Sequence, residues 1–527
     1  MNKHLKLISL SLILFFLSQN CQLMAQQPKV SRVFYDMINS VKANAIVNTY
    51  DQGFLICGQR SGSGLIMKLD AEANFGWALK IGDDYFEEFR AIVPTHDSCF
   101  LVAGESFAEG NPNAEVYYVK INNNGDTLWS KSIDFGSWCN VTSLQQTADH
   151  GFIMSGNLGY LANPYSRIFV ARLNSEGNVL WARNYSAFNN ENKVNAIRET
   201  SEGNFILTGM VENLNPFIAK PYVMEISNQG DITWSKSYEV SGSDFYTGAG
   251  LIIEGNTLFI NLFSYNYFEP IVMKTDISGN VMWSKKYQAF TSFNFNNYFP
   301  PIHKTSDNHL VFVTPGQFGQ FLKIGMDGNL SRASDLFMEP VDVIENPDRG
   351  LMIVGNGPIY GVKKAANPNP HIGVILTDSA GNGIDCTYEY TIGFENVLID
   401  TASITFSRLS GFTQTHLSLP VVQDFPDIKE GCVDFIGGTD ESPEDESAIK
   451  IFPNPTSGLT AFVLEAKKST SVQSIQIISN SGQVRNYPVD FRNHVCTLDL
   501  SSFPDGLYLA RIICETEEYT KRLVIRH

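Results

Sequence analysis

Charge is scarce in this chain of 527 residues: Asp, Glu, Lys and Arg make up 18%, and no stripe of Lys and Arg interrupts a formal charge of -17. Such a surface repels phosphate backbones, which excludes nucleic acid as a partner. No C-x-x-C occurs, so redox and zinc-ribbon signatures are absent. None of His96, His150, His303, His309, His371, His416 and His494 belongs to an H-E-x-x-H or a close His pair in the sequence, which removes the usual signals of a metal site. A G-x-S-x-G elbow between strand and helix is also missing; Gly62-Ser63-Gly64 lies in a turn. The acid pairs Asp83-Asp84 and Glu87-Glu88 adjoin in sequence, so in a strand their members point to opposite faces and in a loop they are solvated. The reading therefore names no catalytic residue, metal or cofactor. Past the N-terminus no run is apolar for long enough to serve as a transmembrane anchor, and no helical period of 3.6 residues recurs.

What is present describes a folded, exported, strand-rich protein. Hydrophobic residues reach 43%, aromatics 12%, and there are 41 glycines, a composition that does not suit disorder. Met1 to Lys6 is basic, Leu7 to Leu17 is apolar but too short for an anchor, and Ala25 offers a small residue for cleavage, so residues 1–25 read as a removable signal peptide. Ser18-Gln19-Asn20 before Cys21 lacks the small residues that a lipoprotein peptidase accepts.

The body from 26 to 385 repeats itself about every fifty residues. Gly53 to Ile56, Cys99 to Val102, Gly151 to Met154, Asn204 to Leu207, Thr257 to Ile260, His309 to Phe312 and Gly350 to Ile353 are equivalent strands. Each is followed by a second strand such as Lys68-Leu69-Asp70 or Lys120-Ile121-Asn122, then by a strand carrying Trp77, Trp129, Trp181, Trp234 or Trp283, with Leu330 in the sixth unit. With an inner strand such as Val194 to Glu199, every unit has four short strands, the signature of a propeller blade. Ser31 to Asp36 is an orphan outer strand, and the last unit lacks one, so the two ends complete one sheet and close the ring. The expected fold is all-β, a seven-bladed β-propeller followed by a small C-terminal β-sandwich.

The spacing Asp/Asn-x-x-Gly-x-x-x-Trp has a structural meaning. The polar residue and glycine make the turn between the third and fourth strands, and the tryptophan packs between blades. This spacing is similar to the tryptophan-docking motif of pyrroloquinoline quinone propellers, a resemblance that implies an axial pocket with carboxylates, Asn and calcium, for which no local cluster is found.

In a propeller the second-to-third-strand loops and the blade-to-blade connections share one face. Here those loops, Gly104 to Ala114, Asn157 to Ser166, Met210 to Pro221 and Phe263 to Pro270, are long, whereas the opposite turns are short. Function concentrates on such loops. The binding candidates on that face are Trp138, Tyr160, Tyr165, Tyr246, Tyr265, Tyr267, Phe293, Phe295 and Tyr298, interleaved with Asn, Ser and Gly and suited to stacking on a glycan or docking a protein. The competing explanation is that these rings pack the loops onto the blades. Two function classes follow: a non-enzymatic module that binds glycan or protein, and a secreted enzyme, quinoprotein-like or carbohydrate-active, with its site in the central channel.

Residues 386–436 read as additional strands packed on the propeller, bracketed by Cys386 and Cys432, which a disulfide would staple. Cys57 and Cys99 occupy equivalent strands in neighbouring units, either as a pair or as buried thiols. The linker 437–448 is acidic and flexible. Beyond it, 449–527 opens on Ile451-Phe452-Pro453-Asn454-Pro455-Thr456-Ser457-Gly458, where two prolines hold Asn454 extended. Alternating strands follow, with turns at Asn480-Ser481-Gly482 and Pro504-Asp505-Gly506. The motif residues Pro453, Asn454, Pro455, Gly458, Gly482, Gly506, Tyr508, Lys521 and Arg522 resemble the type A C-terminal sorting domain of the Bacteroidetes type IX secretion system. That resemblance implies recognition by the outer-membrane translocon after passage through the periplasm, removal by a sorting peptidase, and a secreted or surface location, the latter through lipopolysaccharide.

Overall fold

The computed structural model describes residues 30–525 except 36–39, 83–85, 108–112, 161–162, 188–190, 215–216, 241–244, 265–268, 289–298, 317–318, 337, 358–370, 382–393, 397–398, 404–406, 410–412, 416–420, 424–426, 431–448, 453–458, 465–471, 480–483, 489–494, 505 and 515–517. The signal peptide, the linker and both Cys386 and Cys432 therefore lie outside the described residues. The chain divides into two compact units, 1–435 and 436–527.

The first unit is a propeller of seven antiparallel sheets. Blade 1 consists of Val41–Asn48, Phe54–Arg60, Ser63–Leu69 and Phe75–Ile81, ordered from the axis outward; blades 2 to 7 occupy 87–134, 138–186, 191–240, 246–287, 302–335 and 339–376. Blade 7 takes its fourth strand from the N-terminus. Val30–Tyr35 pairs antiparallel with Ile372–Leu376, which closes the ring as the orphan strand predicts. Apolar residues of facing blades pack together in successive clusters: Phe54, Ile56 and Met67 of blade 1 meet Val341, Met352 and Val374 of blade 7, and Tyr118 of blade 2 lies with Met154 and Phe169 of blade 3.

Two local devices recur around the ring. The turn between the first and second strands begins with Thr and carries an Asp two residues on. Asp51, Asp97, Asp149 and Asp307 there meet Lys68, Lys120, Arg172 and Lys323 of the third strand, at 2.7 Å for each of the lysines. These cations are nearly buried, at 6–7% exposure, so the pairing carboxylate satisfies a charge that would otherwise be stranded. Blade 4 inverts the device: Glu225 takes the third-strand position and accepts from Asn204 and Thr233. The second device is the inter-blade seam. Gly125, Gly177, Gly230, Gly279 and Gly328 have φ between 75° and 91°, and a Cβ on any of them would lie 2.4–3.2 Å from the tryptophan of the preceding blade. Glycine is therefore needed twice over, for the turn and for the ring stacked on it. Tyr118, Tyr185, Tyr238 and Tyr287 add a hydroxyl bond of 2.7–3.0 Å to the carbonyl of the same glycine in the next blade.

The strands between 394 and 430 have an order that local pattern does not reveal. Phe394–Asn396, Ile399–Ser403, Ser407–Leu409, Thr413–Thr415, Val421–Gln423 and Asp427–Glu430 add as fifth strands to blades 5, 4, 3, 2, 1 and 7 in turn. All six pair antiparallel with the outer strand they meet. Sheet twist explains the route. Three steps of about 20–25° turn each outer strand well away from the axis and toward the perimeter, so a segment running antiparallel to all of them must travel backward around the ring. Among the described residues blade 6 retains four strands.

The second unit has a three-stranded sheet, Ile449–Phe452, Leu459–Leu464 and Val495–Asp499, and a four-stranded sheet in the order Val484–Pro488, Val472–Ser479, Gly506–Cys514 and Glu518–Ile525. Residues from both, including Ile475, Ile477, Leu498, Tyr508, Ile512 and Leu523, share one core, which makes the unit a sandwich. Tyr508 is buried there, edge-on to Phe503, with its hydroxyl on Pro504 O at 2.9 Å. Lys521 and Arg522 stand in the last strand opposite Ala510 and Leu509, and Gly506 opens the strand before it. Pro453, Asn454, Pro455, Gly458 and Gly482 lie outside the described residues.

Candidate functional site

Two of the expected long loops are not loops. In blade 4, Phe205–Leu214 and Phe217–Ile226 pair without a break from Phe205↔Ile226 to Leu214↔Phe217, and in blade 3, Phe152–Tyr160 and Asn163–Leu173 stay paired to Tyr160↔Asn163. The corresponding hairpin of blade 1 ends at Arg60↔Ser63. Blade 4 thus continues three residue pairs further than blade 1, about 10 Å at the strand rise. Continued backbone pairing overrides the Asn, Ser and Pro residues that read as loop.

Of the aromatic candidates, Trp138 is described and open, 37% exposed at the start of the inner strand of blade 3. Its indole lies over Gly159, where a Cβ would come within 3.1 Å of the ring. Tyr160 and Tyr165 stand at the tip of the same blade's hairpin, in Phe152–Tyr160 and Asn163–Leu173, so the structure gathers three candidates on one blade. Tyr246 is different: it is 3% exposed and packs with Ala196, Val223, Tyr238 and Ile271 between blades 4 and 5. It begins an inner strand beside Phe245, which bridges to Ala219 of blade 4, and strand alternation turns the ring inward. Tyr246 is a packing residue and not part of the open face. Tyr265, Tyr267, Phe293, Phe295 and Tyr298 lie outside the described residues.

Glu87 and Glu88, read as a solvated or split pair, begin the inner strand of blade 2 and are both buried, at 1% and 3% exposure. Glu88 accepts from Lys42 at 3.0 Å and Asn44 at 2.8 Å of blade 1, and pairs with Arg90 at 2.9 Å. Arg90 also holds Glu105 of the second strand, directly across from Glu88, at 2.8 Å. Burial pushes the Glu105 carboxyl up to about 7 against the pull of Arg90. For Glu88 burial acts in the same direction, yet Arg90 and Lys42 hold it below the usual range. Two acids split this way resemble an acid–base pair in their electrostatics. Their closure from solvent, each at 3% exposure or less, makes the cluster a bond between blades 1 and 2.

The structure also brings together a pair that sequence distance hides. His96 and His150, in equivalent turns of blades 2 and 3, stack with ring centroids 3.9 Å apart. Among the described residues no three of His, Cys, Asp and Glu gather as metal ligands. Cys57, Cys99, Cys139 and Cys496 are buried free thiols, which decides between the two readings of Cys57 and Cys99. Among the described residues no helix is long and apolar enough to cross a membrane.

These units define an exported β-propeller with a terminal sandwich. Residues 450–526 match the family described as the secretion system C-terminal sorting domain, and the chain is a cargo of the type IX secretion system, sent to the cell surface or the extracellular space. No curated protein matches the chain. Among solved structures it is similar to a protein of unknown function from Bacteroides caccae, with 12% identity over 58% of this chain and 92% of that one at a TM-score of 0.33. It is also similar to the extracellular domain of a hybrid two component system from B. thetaiotaomicron, with 12% identity over 94% of this chain and 59% of that one at 0.39. A third likeness is to BamB from Moraxella catarrhalis, with 10% identity over 63% of this chain and 83% of that one at 0.33. At these scores the fold rests on the strand pairings themselves.

Proposed function

We propose that the exported body is a non-enzymatic binding module whose ligand, a glycan or a protein, docks on the face built by the second-to-third-strand hairpins and the blade-to-blade connections. The observation that carries this reading is Trp138. A large indole held open at 37% exposure, beside a glycine one residue from the tip of an extended hairpin, is a ready stacking platform. Tyr160 and Tyr165 belong to the paired strands of the same hairpin. Glu88 and Glu105 are buried and engaged by Arg90, which supports a structural role for this pair and binding over hydrolysis.

A glycan array with the exported protein tests the sugar version. We expect stacking ligands whose affinity falls about tenfold in Trp138→Ala, the loss of roughly 1.4 kcal/mol. An array without signal would rule out the sugar version and leave a protein ligand. The sorting domain meets the translocon and is then removed by a sorting peptidase within 437–448, with lipopolysaccharide as the surface attachment. Deleting 449–527 should leave the protein in the periplasm, and normal export of that truncation would overturn the route.

A further inference from the structure

The bulges of the inner strands mark matching places from blade to blade. A register shift follows Ala43, Phe89, Val141, Val194 and Gly248 in blades 1 to 5, so residues at a fixed count before these points stand at equivalent positions where the channel opens on the hairpin face. Three residues before them are Ser40, Phe86, Trp138, Glu191 and Phe245. Three of these five positions carry an aromatic ring. Trp138 is therefore one member of a rim.

The aromatic members are held in place. Phe86 lies half-buried and edge-on to Phe107 of the same blade, with 5.2 Å between ring centroids, and its carbonyl accepts from Phe107 N at 2.9 Å. Trp138 sits beside Gly159, and the buried Ser137 donates its hydroxyl to the carbonyl of that glycine. Phe245 bridges to Ala219 of blade 4; the alternation that turns Tyr246 into the seam turns Phe245 the other way and leaves it half-buried. On blade 4, between Trp138 and Phe245, Glu191 Oε1 lies 3.2 Å from Lys193 Nζ, with the two side chains 24% and 26% exposed. An acceptor and a donor fixed side by side suit a ligand rich in hydroxyl groups.

We propose that the ligand of this face is a linear glycan of several sugar units laid across blades 2 to 5, with units stacked on Phe86, Trp138 and Phe245 and hydroxyl groups taken by Glu191 and Lys193 between them. Packed sheets lie about 10 Å apart, so one sugar ring does not serve two blades and the rim meets successive parts of a chain. The rings are separate and interrupted by an ion pair, whereas the centre of a protein interface is a contiguous, desolvated patch. That difference favours a glycan over a protein. The row of contacts rests on the stacking role proposed above for Trp138.

The test is calorimetric titration of the exported protein with cello-, laminari-, xylo- and manno-oligosaccharides from the monosaccharide to the heptasaccharide. For a series that binds, affinity should rise about tenfold or more from the disaccharide to the hexasaccharide. Phe86→Ala and Phe245→Ala should each weaken the hexasaccharide about fivefold and leave the disaccharide unchanged, whereas Trp138→Ala weakens both about tenfold. A loss that depends on chain length is not what a misfolded variant gives; Phe245→Ala carries the comparison if Phe86→Ala fails to fold, and the length series needs no variant. Affinity independent of length, or an unchanged hexasaccharide response in the phenylalanine variants, would overturn the row while a costly Trp138→Ala kept the stacking residue. Binding of none of these sugars, or no loss in Trp138→Ala, would overturn the row and the stacking role together.

Discussion

The seams that run through the middle of the ring and the seam that closes it solve one packing problem with different chemistry. From blade 1 to blade 6, each boundary stacks a tryptophan on the glycine turn of the next blade. At the blade 6 to 7 boundary Phe321 and Arg332 meet Gly381 instead. Where blade 7 meets blade 1, Arg32 Nη1 donates to Asn74 Oδ1, while Asn356 accepts from Ala43 N at 2.7 Å and donates to Ala43 O at 2.9 Å. Stacking is tolerant of small shifts, which suits boundaries whose partners are consecutive in the chain. The asparagine clamp itself is shared: at the blade 3 to 4 boundary Asn157 accepts from Val194 N at 2.8 Å and donates to Val194 O at 3.4 Å, so the closing seam differs in placing Arg32 where blades 1 to 5 stack a tryptophan and in joining partners 313 residues apart.

Removing residues 30–35 should break this comparison most severely. It strips the fourth strand from blade 7 and leaves the ring open, so loss of cooperative unfolding by calorimetry and a shift of elution toward larger species are expected. Trp181→Ala tests the stacked seam; it should cost about 3 kcal/mol in denaturant unfolding, as large-to-small changes at packed aromatics do. Asn356→Ala tests the polar one. It leaves both Ala43 backbone groups buried without their partner, for about 2 kcal/mol. A cost near zero there would show that the closing seam is held by apolar contact after all. Tyr238→Phe removes only the hydroxyl bond to Gly279 O and should cost about 1 kcal/mol by the same measurement.

The smallest effect belongs to the turn carboxylates. Lys323 and Thr305 hold Asp307, against partial burial, at about 2. Its folded value is below the unfolded one, so its contribution is present above about pH 4 and is lost as pH falls through about 2. With the carboxylate 44% exposed, solvent screening keeps the amount below about 1 kcal/mol. Asp307→Asn should flatten the acid limb of stability by that much. Glu105 has the opposite sign: its folded value near 7 exceeds the unfolded one, so stability falls as pH rises from about 4 to 7, and Glu105→Gln should remove that slope.

The blade count, the closing strand and the Trp-Gly seams were legible because each leaves a repeated mark: alternation, an orphan strand, a fixed spacing. The upper hairpins of blades 3 and 4 were not. Asn157, Asn163-Pro164, Asn213 and Pro216 carry turn chemistry, and only the partner strand shows that the ladder continues past Asn157 and Asn213. Tyr246 was misplaced because an aromatic set among Ser, Gly and Thr looks the same whether its ring faces solvent or the next blade. Glu88, Arg90 and Glu105 gave one faint signal, an acid and a base two residues apart at the start of a strand, but the third member comes from across the ladder. The strands between 394 and 430 are three to five residues long, too short for a period of their own, and their place is set by the edges they meet.

Those six segments carry a kinetic corollary. Each needs a finished blade edge before it has anything to bond, and they come last in the body, so they act as a hoop that is driven on only after the staves stand. Opening the barrel then begins by peeling that hoop from its C-terminal end at blade 7, the same blade on which the N-terminal strand is clasped beneath it.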